Sequence, residues 1–140
     1  MVNELIVREC QEDEAEAVLE LWQLAETVTS PTDTLDQVRV AIKHNAASFL
    51  VAESGGRIIG TVIGTFDGWR GEMYRLAVLP EFRRVGVART LVEAAEKWMA
   101  EQGCRRITAL VEKDHPWATR FWDAAGYTPE PLDVRYVRNF

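Results

Sequence analysis

Apolar residues recur along this chain at two different periods, and the places where the period changes mark its elements. Residues 5–10 form a short β-like run. From 12 to 26, Ala15, Val18, Leu19, Trp22 and Ala25 share one helical face, and the acidic first turn suits a helix N-terminus. Residues 27–34, TVTSPTDT, read as a loop. Leu35, Val38 and Ile42 mark a second helix over 35–44, with Thr34 and Gln37 placed as a capping box. The period then drops to two. Strands over 48–53, 57–66 and 72–79, joined by turns at 54–56 and 67–71, make three consecutive antiparallel strands. After Pro80 helix and strand alternate. A helix over 87–101 carries Leu91, Ala95, Trp98 and Met99 and is closed by Gly103. A strand over 105–111, a helix over 116–125 stopped by Gly126, and a last strand over 132–137 complete the chain. A strand–helix–strand unit of this length makes a parallel crossover. The expectation is a single domain over 1–140, an α/β sandwich whose mixed, twisted sheet is antiparallel first with a parallel pair near the middle.

Composition narrows the class. An apolar share of 47% suffices for one core. No run of 18 apolar residues implies a membrane span, and residues 1–5 lack the layout of a signal peptide, so a cytoplasmic protein is expected. The net charge of −6 argues against a nucleic-acid binder and mildly favours a cationic partner. Cys10 and Cys104 stand in no metal-ligand spacing and read as small apolar side chains, so no metal is expected.

The informative segment is 76–89, LAVLPEFRRVGVAR. A strand runs into a turn containing Arg83-x-x-Gly86-x-Ala88, and a helix begins there. Helix N-termini present unpaired amide N–H groups and the positive end of the dipole, which together favour anions. Gly86 and Ala88 let a bulky pyrophosphate approach the backbone, while Arg83, Arg84 and Arg89 add charge. No Gly-Lys-Ser/Thr follows, so this is not a Walker motif. The first glycine of a dinucleotide fingerprint is also absent. By spacing alone, a plain strand-to-helix turn with surface arginines remains an equal reading.

Arg-x-x-Gly-x-Ala resembles the acetyl-CoA pyrophosphate motif of the GNAT superfamily, Gln/Arg-x-x-Gly-x-Gly/Ala. The preceding 75–82 (RLAVLPEF) resembles that family's fourth strand, and 121–127 (FWDAAGY) its last helix. The hairpin over 60–71 is similar to the small YpeA-like branch. The resemblance implies a sheet of about six to seven strands and acetyl-CoA as co-substrate. Main-chain groups of Leu76 and Val78 would pair with the pantetheine. Amides of Arg84, Gly86, Val87 and Ala88 would hold the pyrophosphate, with Arg83 and Arg89 lining it. His115 falls where the family often has an Asn on the cofactor arm, and Trp122 where it often has a Tyr. An indole N–H cannot act as the acid that such a Tyr supplies.

The implied reaction is direct attack of a primary amine on the thioester. A lysine-like amine has a pKa of roughly 10.4, so a base assists. Glu72 is the candidate, on the face of the strand expected to carry Tyr74, Leu76 and Val78, and Glu112 is the runner-up. The partner would be a small-molecule or protein amine, and a homodimer stays open. The rival class is a non-catalytic acyl-CoA-binding or regulatory domain, which Trp122 favours.

Overall fold

A computed structural model describes residues 4–140. Its packing divides into two compact units, one ending at Leu110 and the other running Val111–Phe140.

The first unit is built on a five-stranded sheet in the order β1 to β5: Leu5–Glu9, Ala47–Ser54, Arg57–Phe66, Gly71–Val78 and Ile107–Ala109. The first four are antiparallel, and β5 runs parallel to β4. The parallel pair therefore lies at the edge of the sheet rather than near its middle. The sheet has fewer strands than expected because 132–137 adopts no strand, and β5 is shorter than 105–111. The Gly55-Gly56 turn has φ of 58° and 76°, the left-handed pair that a two-residue hairpin of matching twist requires.

Helices cover both faces of the sheet. Helix α1 (Ala15–Leu24), preceded by a 3-10 turn at Glu12–Glu14, and α2 (Leu35–Lys43) lie on one side. Their Val18, Trp22 and Val38 pack with Phe49, Val51, Ile63 and Ala77. Helix α3 (Val87–Glu101) covers the other side and buries Leu91, Val92, Ala95 and Met99. Trp98, expected on this stripe, is only partly buried and Val92 takes that place. The reciprocal capping contact expected at Thr34 is half present: Thr34 Oγ1 accepts from the Gln37 amide. Gly71 is required for space. A Cβ there would stand 2.7 Å from Cys104 Sγ and 2.8 Å from Met99 Sδ.

At the start of the sheet, the Arg8 guanidinium bonds Glu14 at 2.7 Å and Glu53 at 2.8 Å, clamping β1 to β2 and to the entry of α1. The same guanidinium holds the Glu14 carboxyl below the usual carboxylate range. Burial pushes the Cys10 thiol up to about 12.

In the second unit, helix α4 (Pro116–Ala124) is capped by His115, whose Nδ1 accepts from the Ala118 amide at 3.3 Å. Trp122 is buried and meets Phe121 and Tyr127 edge-on.

Candidate functional site

The site follows from how β4 is paired. On one side β4 meets β3 along its length, but on the other β5 accompanies it only at Gly71, Glu72 and Met73. Among the described residues, no strand is paired with 74–78 on that side. Such an edge offers N–H and C=O groups to an extended ligand.

Within this open half lies a β-bulge. Thr61 opposes Ala77 while Ile63 opposes Tyr74, so Arg75 and Leu76 together face Val62. Arg75 takes the left-handed conformation, φ 54°. The distortion is held from three directions. Thr61 Oγ1 donates to the Arg75 carbonyl at 2.8 Å and accepts from Trp22 Nε1 at 3.0 Å. The Arg75 guanidinium bonds Asp33 Oδ1 at 2.8 Å and Thr27 Oγ1 at 3.1 Å, and lies over the Trp22 ring. The loop between α1 and α2 is thereby tied to the middle of β4.

The bulge also corrects the expected arrangement of side chains. Unbroken alternation would put Glu72 and Val78 on one face. Instead the extra residue reverses the phase. Glu72 and Tyr74, opposite Thr65 and Ile63, lie on the α1/α2 face together with Ala77. Val78 opposes Gly60, whose absent Cβ would meet Leu91 and Val87 of α3. Glu72 is half-buried and accepts a hydrogen bond from the Tyr74 hydroxyl. Tyr74 was not among the residues singled out from sequence. The i, i+2 spacing of phenol and carboxylate on one strand is the signal that marks it.

Beyond β4, a 3-10 turn at Pro80–Phe82 leads to the glycine turn and α3. Arg84 and Gly86 both take positive φ, 66° and 92°, curling the chain so that α3 starts at Val87. Nothing lies within 4 Å of a Cβ built at Gly86, so this glycine is needed for its backbone conformation rather than for room inside the protein. The amides of Val87, Ala88 and Arg89 occupy the first turn, where no intrahelical acceptor is available, whereas Thr90 donates back to the Gly86 carbonyl. No acidic residue lies in that turn. Arg84, Gly86 and Arg89 are exposed, while the Ala88 side chain is buried. Ala88 is small because it packs inward. Arg83 turns back into the fold. Its Nε donates to the Val78 carbonyl at 3.1 Å and its Nη2 to the Ala25 carbonyl at 3.2 Å, bracing the turn against β4 and α1.

Strand with one open edge, bulge, left-handed glycine turn and anion-ready helix follow one another within twenty residues. The model of the acetyltransferase (GNAT) family matches residues 15–127. The chain belongs to this GNAT family of acetyltransferases. Solved structures share the fold at low identity. The aminoglycoside N-acetyltransferase AAC(6')-Iy, solved with CoA, superposes with a TM-score of 0.80 at 19% identity, covering 99% of this chain and 97% of that one. The PaiA N-acetyltransferase from Thermoplasma acidophilum, solved with coenzyme A, gives 0.82 at 18% identity over 93% of both chains. A transcriptional regulator from Bacillus halodurans gives 0.75 at 22% identity, covering 95% of this chain and 100% of that one.

Of the positions expected to serve a GNAT site, Glu72, Leu76, Val78, Arg83, Arg84, Gly86, Val87, Ala88 and Arg89 fall on the continuous β4–turn–α3 segment. His115 and Trp122 belong to the second unit, the first as a helix cap and the second within an aromatic cluster. Glu112 also lies there, where its carbonyl accepts from the His115 amide.

Proposed function

We propose that this GNAT protein transfers an acetyl group from acetyl-CoA to a primary amine approaching from the α1/α2 face of β4. The observation that carries the reading is the open edge of β4, residues 74–78, running directly into the left-handed turn and free first-turn amides of α3. The residues suit the co-substrate. Main-chain groups of Leu76 and Val78 pair with the pantetheine arm, and the amides of Arg84, Gly86, Val87 and Ala88 receive the pyrophosphate. Arg84 and Arg89 add exposed positive charge, whereas Arg83 serves by bracing the turn. Bound acetyl-CoA supplies the activated carbonyl.

The chain's own groups position and deprotonate. Glu72 takes the proton of the attacking amine, directly or through water, and the Tyr74 hydroxyl orients its carboxylate. The Val78 amide supports the oxyanion. Trp122 carries an N–H and no hydroxyl, so it is assigned to packing rather than to proton donation. The structural relative AAC(6')-Iy is an aminoglycoside acetyltransferase by name and is solved both with CoA and with the bisubstrate analogue CoA-S-monomethyl-acetylneamine, which supports multiply charged small amines as the first acceptor class. The net charge of −6 suits such cations. The two free cysteines suit the reducing cytoplasm.

Thiol release from acetyl-CoA, measured with aminoglycosides, polyamines, amino acids and a lysine peptide, tests this. Amine-dependent turnover is expected. Binding of acetyl-CoA with no amine-dependent release would establish the non-catalytic reading that Trp122 and the regulator relative favour.

A further inference from the structure

Among the described residues, Ser48 and Thr61 are the buried polar side chains, and Thr61 is fully buried in the middle of β3. A hydroxyl in such a place costs free energy unless its hydrogen and its oxygen are both used. Both are, and in a fixed direction. An indole N–H can only donate, so Trp22 Nε1, 3.0 Å away, uses the oxygen as its acceptor. The hydroxyl hydrogen then goes onward to the Arg75 carbonyl at 2.8 Å. Trp22 is itself held by the core, where it stacks on Phe49 with ring centroids 6.3 Å apart.

This chain of donors sets the direction of a peptide group on β4. A carbonyl and the N–H of the next residue point opposite ways across a trans peptide. The Arg75 carbonyl is turned inward to Thr61, so the Leu76 N–H is turned outward, to the side that β5 leaves after Met73. The ladder beyond agrees. The Leu79 amide donates to the Ile59 carbonyl at 2.9 Å, and Ala77 opposes Thr61. Bonded and non-bonded positions alternate along an antiparallel pair, so 77 and 79 face β3 while the main-chain groups of Leu76 and Val78 face outward. The Val78 carbonyl already accepts from Arg83 Nε at 3.1 Å, which gives Leu76 the larger share in any pairing on that side.

We propose that Trp22 and Thr61 are positioning residues for acetyl transfer, acting through the Arg75 carbonyl to aim the Leu76 N–H at the acyl-bearing arm of the co-substrate. The inference rests on the acetyl-transfer reading above. The turn that receives the phosphates follows Val78, so an extended ligand running back along β4 from that turn meets Leu76 after Val78, nearer its acyl end. A donor fixed there governs how the thioester carbon stands relative to Glu72, and a misplacement of about 1 Å costs on the order of 10²-fold in rate. Without the Thr61 hydroxyl the Arg75 carbonyl loses this donor. Arg75, at φ 54°, can then relax toward a regular pleat, which swings the Leu76 N–H back toward β3.

Three measurements on the full chain test this: amine-dependent turnover, acetyl-CoA affinity by calorimetry, and amide hydrogen exchange by NMR. Thr61→Val removes the hydroxyl at nearly constant volume. It should lower kcat by about 10- to 100-fold, with the Kd of acetyl-CoA within about threefold of wild type. Thr61→Ser keeps the hydroxyl and should recover most of the rate. Acetyl-CoA should slow exchange of the Leu76 amide by about tenfold or more in wild type and Thr61→Ser but not in Thr61→Val, while the Val87 and Ala88 amides slow in all three. Trp22→Phe keeps a ring and removes the N–H. It should show the same two changes at smaller size, and it carries the test if Thr61→Val does not fold. A folded Thr61→Val, or Trp22→Phe in its place, with wild-type kcat or wild-type protection at Leu76 overturns the proposal. So does a Thr61→Ser as slow as Thr61→Val, which assigns the loss to packing. If acetyl-CoA binds the wild type but no amine releases thiol, the enzymatic reading fails and the exchange of Leu76 alone decides whether the two residues position it. If acetyl-CoA does not bind, both fall.

Discussion

The two halves of β4 have the same parent strand and opposite fates. Residues 71–73 are paired on both sides, with Met73 fully buried and Gly71 pressed against Cys104 and Met99. Residues 74–78 keep one edge open, contain the bulge, and are held by side chains from α1 and the following loop. Pairing on both sides satisfies every backbone group and leaves nothing to offer a ligand. The second half is matched by no strand on one side among the described residues, and a set of polar contacts keeps it in shape. Stability should therefore be read mainly from the first half, and binding from the second.

Glu72 stands at the junction, and its substitution should give the largest effect. Glu72→Gln keeps the shape and removes the proposed base, so turnover of a competent amine should fall by about 10² to 10⁴. Acetyl-CoA affinity, followed by calorimetry, should be nearly unchanged. Wild-type turnover at the same level in the variant, with the same pH profile, would remove Glu72 from the mechanism. In the closed half, Met73→Ala should cost about 2 to 5 kcal/mol in urea unfolding, through lost burial and a cavity beside α3. Its acetyl-CoA affinity should hold wherever the variant is folded.

The open half should answer in the reverse sense. Gly86→Val forces a β-branched residue into φ 92° and should weaken acetyl-CoA binding by at least tenfold. Because no protein atom lies near the added Cβ, its unfolding midpoint should move less than that of Met73→Ala. Arg75→Met cuts the ties to Asp33 and Thr27 and should cost about 1 to 3 kcal/mol. Hydrogen exchange should rise in the loop over 25–34 while β2 and β3 stay protected. A uniform rise across the sheet would mean that the bulge is not locally held.

The smallest effect concerns a clamp remote from β4. The Glu14 carboxyl is depressed by Arg8, so its contribution is present above the unfolded-state pKa and is lost as pH falls through the lower folded value. Arg8→Met should remove about 1 kcal/mol at neutral pH, with the difference from wild type shrinking below about pH 4. A difference that persists undiminished at low pH would assign the loss to packing instead.

Much of this was readable in the residues. The change of apolar period marked the helices and the three-strand meander, and Arg83-x-x-Gly86-x-Ala88 marked the turn. Two features escaped for physical reasons. Period-two counting assumes one residue per pleat, so the inserted residue at Arg75 placed Glu72 on the wrong face relative to Val78. Alternation at 132–137 reports the capacity to be a strand, but a strand exists only where an edge receives it. Arg83 posed a third difficulty. A basic residue beside a phosphate turn reads as a ligand, yet two backbone carbonyls claim its guanidinium, and carbonyl orientation is settled by tertiary contact.

The bulge at Arg75 works as a phase inverter along a single strand. Upstream of it, alternate positions 72 and 74 address the side of α1 and α2; downstream, that same side receives 77, and 78 turns to α3. A substitution before the inversion thus does not disturb the stacking after it. Deleting one residue at the bulge would restore an uninterrupted pleat and exchange the two sides for everything that follows. In this family of folds, insertions and deletions at that point should be far rarer than in the 67–70 turn only a few residues upstream.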